Sequence, residues 1–179
     1  MLNEHAKLLA LFQQTGEIVG RKKLQKMIYI AKKLGLPFYE KYQYHMYGPY
    51  SEELTLRVEE MTQLAFISEV KEQKAGYQQY RYTLAEAGAE FLTMAGGEFP
   101  DVSHVLKHLN EQSAKFLELV STVLFFEELP KEDVTKKVFK LKAKQNYTEE
   151  DIAEAYHLIE ALRGEVTASG LINVSNGGQ

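Results

Sequence analysis

The spacing of apolar residues changes period several times along the chain, and each change marks an element. Leu2, Leu8, Leu9, Leu11 and Phe12 recur at helical intervals up to Thr15-Gly16, where glycine ends a first helix. Ile18-Val19-Gly20 reads as a minimal strand. Over residues 21–35, Leu24, Met27, Ile28, Ala31 and Leu34 share one face of an amphipathic helix closed by Gly35. Segment 37–50 switches to a period of two. Tyr42, Tyr44 and Met46 alternate with Gln43, His45 and Tyr47, and the run ends at Gly48-Pro49, which predicts a strand and a turn. Ser51 is placed to cap a third helix, whose first turn holds Glu52 and Glu53, where the helix dipole favours anions; its apolar stripe is Leu54, Val58, Met61 and Leu64.

Residues 64–92 carry the densest signal: a helix end, two short strands joined by a Gly-containing turn, and a new helix. Tyr80, Tyr82 and Leu84 lie on one face of the second strand. Thr83 and Glu86 have capping-box spacing ahead of a helix from Ala85 to Met94. Gly96-Gly97-Glu98-Phe99-Pro100 pairs flexible residues with a helix-excluding one and is expected to be a domain boundary. Beyond it the spacing predicts one long helix over 101–126, with the stripe Val102, Leu106, Leu109, Phe116, Val120 and Val123 drifting near a 3.5-residue period. Such a stripe serves as core or as the seam of a homodimer. Pro130 stops it. Two further helices follow, one with Val134, Val138 and Leu141, the other with a Thr148 cap, Asp151 at N3, and Ile152, Ala155, Tyr156, Ile159 and Leu162 inward.

The expected fold is therefore mainly α with a small β-hairpin (α+β). It comprises a winged helix-turn-helix-like N-terminal domain over 1–95 with an aromatic insert at 37–50, a C-terminal helical domain over 101–165, and a flexible tail over 166–179. The hairpin segment resembles the generic winged-helix pattern Tyr-x-Leu-Thr-x-x-Gly, which Tyr82, Leu84 and Gly88 match while Ala85 stands in place of the threonine.

Two runs, Gly20-Arg21-Lys22-Lys23-Leu24-Gln25-Lys26 and Tyr44-His45-Met46-Tyr47-Gly48-Pro49-Tyr50-Ser51-Glu52-Glu53-Leu54, resemble the YwgA-like family of uncharacterised bacterial proteins, with a likeness spanning residues 1–165. A fainter likeness joins Lys23-Leu24-Gln25-Lys26-Met27-Ile28-Tyr29 and Tyr47-Gly48-Pro49 to the SocA-like (Panacea) antitoxin domain. That second resemblance implies neutralisation of a protein partner, or delivery of targets to proteases.

Composition narrows the classes. A chain of 179 residues that is 45% hydrophobic and 26% charged can bury one good core or two small ones. It has no cysteine, which removes disulfides, thiolate metal sites and Cys nucleophiles together. No basic leader or long apolar run is present, so a cytoplasmic protein without membrane association is expected. A formal net charge of −4 disfavours a general nucleic-acid coat, although a local basic patch could still bind phosphate.

That patch is the helix carrying Arg21, Lys22, Lys23, Lys26, Lys32 and Lys33, which meets no acid in sequence until Glu40. It reads as a face for phosphate or an acidic partner, or as a solvated helix side; charge reversal at Lys22, Lys26 and Lys33 is expected to leave the fold nearly intact while abolishing partner or nucleic-acid binding. The aromatic insert suits an interface, because tyrosine buries area while keeping a hydrogen-bonding tip. The candidate binding residues, for a partner or for phosphate, are Arg21, Lys22, Lys26, Lys33, Tyr44, His45, Tyr47, Gly48, Pro49 and Tyr50. Lys131, Lys136, Lys137, Lys140, Lys142 and Lys144 form a second basic run that a solvated face explains equally well. His104, His108 and Glu111 share one helix side, but no metal, cofactor or catalytic residue is expected, and the chain shows no nucleophile elbow, phosphate loop or zinc-protease helix.

An uncharacterised protein-interaction module of antitoxin or adaptor type, not an enzyme, is the leading expectation. The alternative is a DNA-binding transcriptional regulator gripping the backbone through the basic helix and Lys71, Lys74 and Arg81. Two features count against it. The helix before the hairpin sets Glu52, Glu53, Glu59 and Glu60 against Arg57 alone, and the segment from Gly35 to Tyr50 is far longer than a helix-turn-helix turn.

Overall fold

The computed structural model describes residues 2–96 and 99–170. The fold is mainly α with small antiparallel sheets. Helix α1 (Asn3–Thr15), strand β1 (Glu17–Val19) and α2 (Arg21–Lys33) lead to a short hairpin of β2 (Gln43–His45) and β3 (Gly48–Tyr50), then to α3 (Glu52–Gln63). A longer hairpin, β4 (Ile67–Lys74) and β5 (Tyr77–Leu84), precedes α4 (Glu86–Ala95). The C-terminal part is α5 (Ser103–Asn110), α6 (Ala114–Phe125), α7 (Lys131–Leu141), a 3-10 turn (Ala143–Gln145) and α8 (Glu149–Ala168). Among the described residues no helix is long and apolar enough to cross a membrane.

In the larger sheet β5 is central, flanked antiparallel by β1 and β4. Ile18 and Glu69 both face Tyr82 in register, and the ladder of the longer hairpin runs from Ile67 opposite Leu84 to Lys74 opposite Tyr77. Gly88 lets α4 start against the corner between α3 and β4: a Cβ there would lie 2.1 Å from the Phe66 carbonyl oxygen, so no larger residue fits without backbone movement. The buried side chains form one continuous cluster that draws on both halves of the chain, with α1 packed on α5 and α2 on α6.

Several expectations are corrected. The stretch 101–126 is two helices, because Ser113 Oγ accepts from the Phe116 N–H at 3.1 Å and begins α6 as its N-cap. Of its stripe residues, Val102, Leu106, Leu109, Val120 and Val123 are buried within the chain's own core and Phe116 is half-buried. Thr83 does not cap α4; it is held in the β5 ladder opposite Glu17 and Ser68, and Ala85 takes the N-cap position without a side-chain bond. Leu64 is 50% exposed, because the chain reverses at Ala65, with φ 59°, and the apolar Phe66 packs against the core instead. Leu141 is exposed as well.

Both predicted polar caps of the remaining helices are present. Ser51 Oγ accepts from Leu54 N–H, and Thr148 with Asp151 forms a full capping box. Helix α8 runs through residues expected to be a tail, with Val166 buried; the remainder of that tail, 171–179, lies outside the described residues. So do Gly97 and Glu98 of the expected domain boundary. On its far side, Gln14 clamps the chain by donating to Pro100 O at 3.0 Å and accepting from Val102 N–H at 2.9 Å.

Candidate binding cleft

Helix α2 packs its apolar face chiefly against α6, with α5 beside it, and this leaves Lys22 and Lys26 toward the short aromatic hairpin. The two are laced together. Gln25 donates to Ser51 O at 2.9 Å and accepts from Ser51 N–H at 2.9 Å, a paired clamp at the end of β3. The Tyr42 hydroxyl donates to Gln25 O at 3.1 Å, and Lys32 donates to Glu40 O at 2.6 Å. Lys26, only 1% exposed, donates from Nζ to Pro49 O at 2.6 Å. Gly48 sits at φ 92°, in the left-handed region that favours glycine, and a Cβ there would lie 3.4 Å from Thr122 Oγ1 and 3.6 Å from Lys26 Nζ. It thus closes the hairpin turn at Met46-Tyr47 with its backbone tight against α2 and α6.

These contacts leave a cavity of about 520 Å³ between α2, the short hairpin, the first turns of α3 and the edge of the larger sheet. That volume lies in the range of ligand pockets. Leu24, Leu54 and Val58 give it apolar lining, Lys22, Lys26, Glu59 and Glu69 are among its charged residues, and Tyr47, Tyr50 and His45 are its aromatic ones. The His45 and Tyr50 rings pack at 5.1 Å, and the Tyr50 hydroxyl pairs with Thr55 Oγ1 at 2.8 Å. Met46 and Tyr47 are 81% and 57% exposed at the rim.

The cleft gathers most of the residues expected to bind: Arg21, Lys22, Lys26, His45, Tyr47, Gly48 and Tyr50 all line it. Tyr44 and Pro49 stand behind the wall. The Tyr44 ring packs between Phe125 and Phe126 at 5.2 and 5.6 Å, and burial raises the pKa of its hydroxyl. Pro49 is buried. Lys33 is elsewhere, 3.9 Å from Glu127.

The basic helix is not an unopposed face, because acids distant in sequence reach it. Arg21 lies over the Tyr80 ring at 3.6 Å, donates to the Tyr82 hydroxyl at 3.3 Å and pairs with Glu69 at 3.5 Å. Lys22 pairs with Glu118 at 3.2 Å and lies 4.6 Å from the Tyr47 ring centre. Reversing Lys22, Lys26 and Lys33 together would bury a new carboxylate at position 26 and repel Glu118, so it would not spare the fold.

Sequence reasoning missed Glu118. It is fully buried on α6, with Oε1 accepting from Lys142 at 3.2 Å and Oε2 from Gln145 at 2.9 Å in addition to Lys22. Lys142 also donates to Met46 O at 3.0 Å, tying the hairpin tip to the C-terminal half. The signal was a lone acid in the apolar run Phe116-Leu117-Glu118-Leu119-Val120. Within the second basic run only Lys142 is buried, while Lys136, Lys140 and Lys144 are solvated. Burial lowers the pKa of Lys26 to about 8; Glu118 opposes the shift and the neighbouring Lys22 and Lys142 add to it. His104 and His108 face Glu165, at 3.6 and 2.9 Å, rather than sharing Glu111, and among the described residues no cluster of His and acidic groups is arranged to hold a metal.

No protein-family model matches the chain. Over 163 residues, 91% of this chain and 98% of the relative, it is 56% identical to a protein of Bacillus subtilis (strain 168) described as uncharacterized protein YwgA.

Proposed function

The chain belongs to the YwgA-like family, and we propose that it is a protein-interaction module of adaptor or antitoxin type that receives a segment of its partner in the cleft between α2, the short hairpin and α3. One observation carries this reading: the basic and aromatic residues, far apart in sequence, converge on a single cavity with apolar lining and an exposed Met46-Tyr47 rim. Tyrosine and arginine beside a desolvated apolar patch are the composition of interaction hot spots. A small antiparallel sheet behind the cleft, with β1 and the longer hairpin on α1 to α4, serves as a winged-helix-like frame. The ion pairs of Arg21, Lys22 and Lys33 leave these cations less free for a phosphate backbone than their sequence spacing implies.

A photo-crosslinking residue at Met46 tests the reading in cells. A discrete crosslinked polypeptide is expected, lost in Tyr47→Ala and kept in Lys33→Glu, which lies outside the cleft. Undiminished crosslinking in Tyr47→Ala would remove the cleft from partner binding.

A second reading, DNA binding, is favoured by one feature: Lys71 and Lys74 are exposed on the projecting hairpin, where a wing would meet a backbone. Binding to duplex DNA that falls steeply between 50 and 200 mM salt, and weakens in Lys71→Glu, would support it.

A further inference from the structure

The larger sheet ends on an open edge. Strand β4 has β5 on one side and, among the described residues, no strand on the other. Which of its backbone groups face outward follows from the ladder. Gly20 N–H donates to Tyr80 O at 2.7 Å, so Tyr80 and Tyr82 turn their backbone groups toward β1. Ala85 N–H donates to Phe66 O at 2.9 Å, so Thr83, Arg81 and Gln79 turn theirs toward Ser68, Val70 and Glu72. The N–H and C=O groups of Ile67, Glu69, Lys71 and Gln73 are left on the free edge. The strand meets β5 residue for residue from Ile67 to Lys74, so no bulge bends this edge away, and it holds no proline. Val70, 48% exposed, lies at its middle on the sheet face away from Tyr82.

We propose that this edge pairs antiparallel with β4 of a second copy of the chain, about a two-fold axis through Val70, so that the two sheets run into one. Antiparallel pairing sets outward-facing residues opposite outward-facing residues, which puts the axis on a residue of the strand, and the registers of longest overlap centre on Glu69, Val70 or Lys71. An axis at Glu69 sets that carboxylate against its own copy, and an axis at Lys71 does the same to the ammonium; like charges directly opposed destabilise a ladder. The axis at Val70 instead sets Glu69 opposite Lys71 on both sides of the centre, Ile67 opposite Gln73, and Val70 opposite Val70 in a non-hydrogen-bonded pair, where side chains lie closest. Lysines on an edge ordinarily deter other strands. In this register Lys71 meets a carboxylate, and Glu69, whose Oε1 stands 3.5 Å from Arg21, has lone pairs for a second cation. Both halves of the charge pair stand on one strand, so the complement to this edge is the edge itself.

The chain has no cysteine, so single-cysteine variants report the register directly. Val70→Cys is expected to form a disulfide-linked dimer under mild oxidation, because Cα atoms about 4.5 Å apart in such a pair suit a disulfide. Lys74→Cys, exposed but far from its own copy in this register, is expected to stay unlinked. In the cysteine-free protein, sedimentation equilibrium is expected to show a monomer and dimer in exchange. Lys71→Glu should weaken that dimer at least about tenfold, since it replaces two attractive pairs with two repulsive ones, while the exposed position leaves the urea midpoint nearly unchanged. A monomer throughout the concentration series overturns the proposal, as does a dimer that Lys71→Glu leaves intact, or equal crosslinking at positions 70 and 74. Monomeric protein whose Val70→Cys variant captures a different polypeptide in cells would mean that the edge takes a partner's strand, and that outcome also overturns pairing between copies.

Discussion

At the scale of single residues, the burial of Lys26 couples stability to pH. Its pKa falls from 10.5 to about 8 on folding, chiefly through burial. Between those two values the unfolded chain holds a proton that the folded chain has released, so stability rises with pH across that window. The full effect is on the order of 3 kcal/mol at about 1.4 kcal/mol per pKa unit. Above pH 10 the sign reverses, because burial raises the pKa of the Tyr29, Tyr82 and Tyr147 hydroxyls and the folded state then holds the extra protons. Urea titrations at intervals from pH 7 to 10 are expected to show a rising midpoint that Lys26→Met flattens. A midpoint that falls steadily over this range in the unaltered protein would contradict the burial of a charged Lys26.

At the scale of elements, caps decide where helices begin more firmly than apolar stripes do. The run from Asp101 to Phe126 carries a continuous stripe, yet Ser113 restarts the helix and sets α5 against α1 and α6 against α2 as separate rods. Ser113→Ala is expected to cost about 1 kcal/mol, the usual worth of a lost N-cap. Thr148→Ala should cost a similar amount. Thr83→Ala, whose side chain caps nothing, should cost less than either through capping, and equal losses for Thr83 and Thr148 in matched denaturant titrations would restore the predicted box. The same logic explains the aromatic segment. Its alternation was legible, but the return strand Gly48–Tyr50 was not, because three residues containing a proline carry no period of their own and are paired by the Gln25 clamp and the Lys26 bond from a neighbouring helix.

At the scale of the whole molecule, the two halves share their core and their charges. Lys22 and Lys26 from the first half meet Glu118 and Lys142 from the second, and one buried cluster continues through α1, α2, α5, α6 and α8. Unfolding followed by far-ultraviolet circular dichroism and by tyrosine fluorescence is therefore expected to give one coincident transition. Two resolved transitions would mean that residues 1–95 and 101–165 fold as independent domains.

By itself the sequence determined what depends on near neighbours. The period of the apolar positions placed α1, α2, α3 and α8, the two polar caps at Ser51 and Thr148 set helix starts, and the strand pattern located the longer hairpin. It also marked the basic helix and the Tyr-Gly-Pro segment, residues of which line one cleft. Only the tertiary structure decided which of those lysines face water, because the counter-charges Glu69, Glu118 and Glu127 approach from other elements and no local spacing announces them. Burial is a property of the assembled core: Lys26 and Lys33 look alike on a helical wheel read from sequence, yet one is enclosed by the hairpin and α6 and the other is exposed beside Glu127.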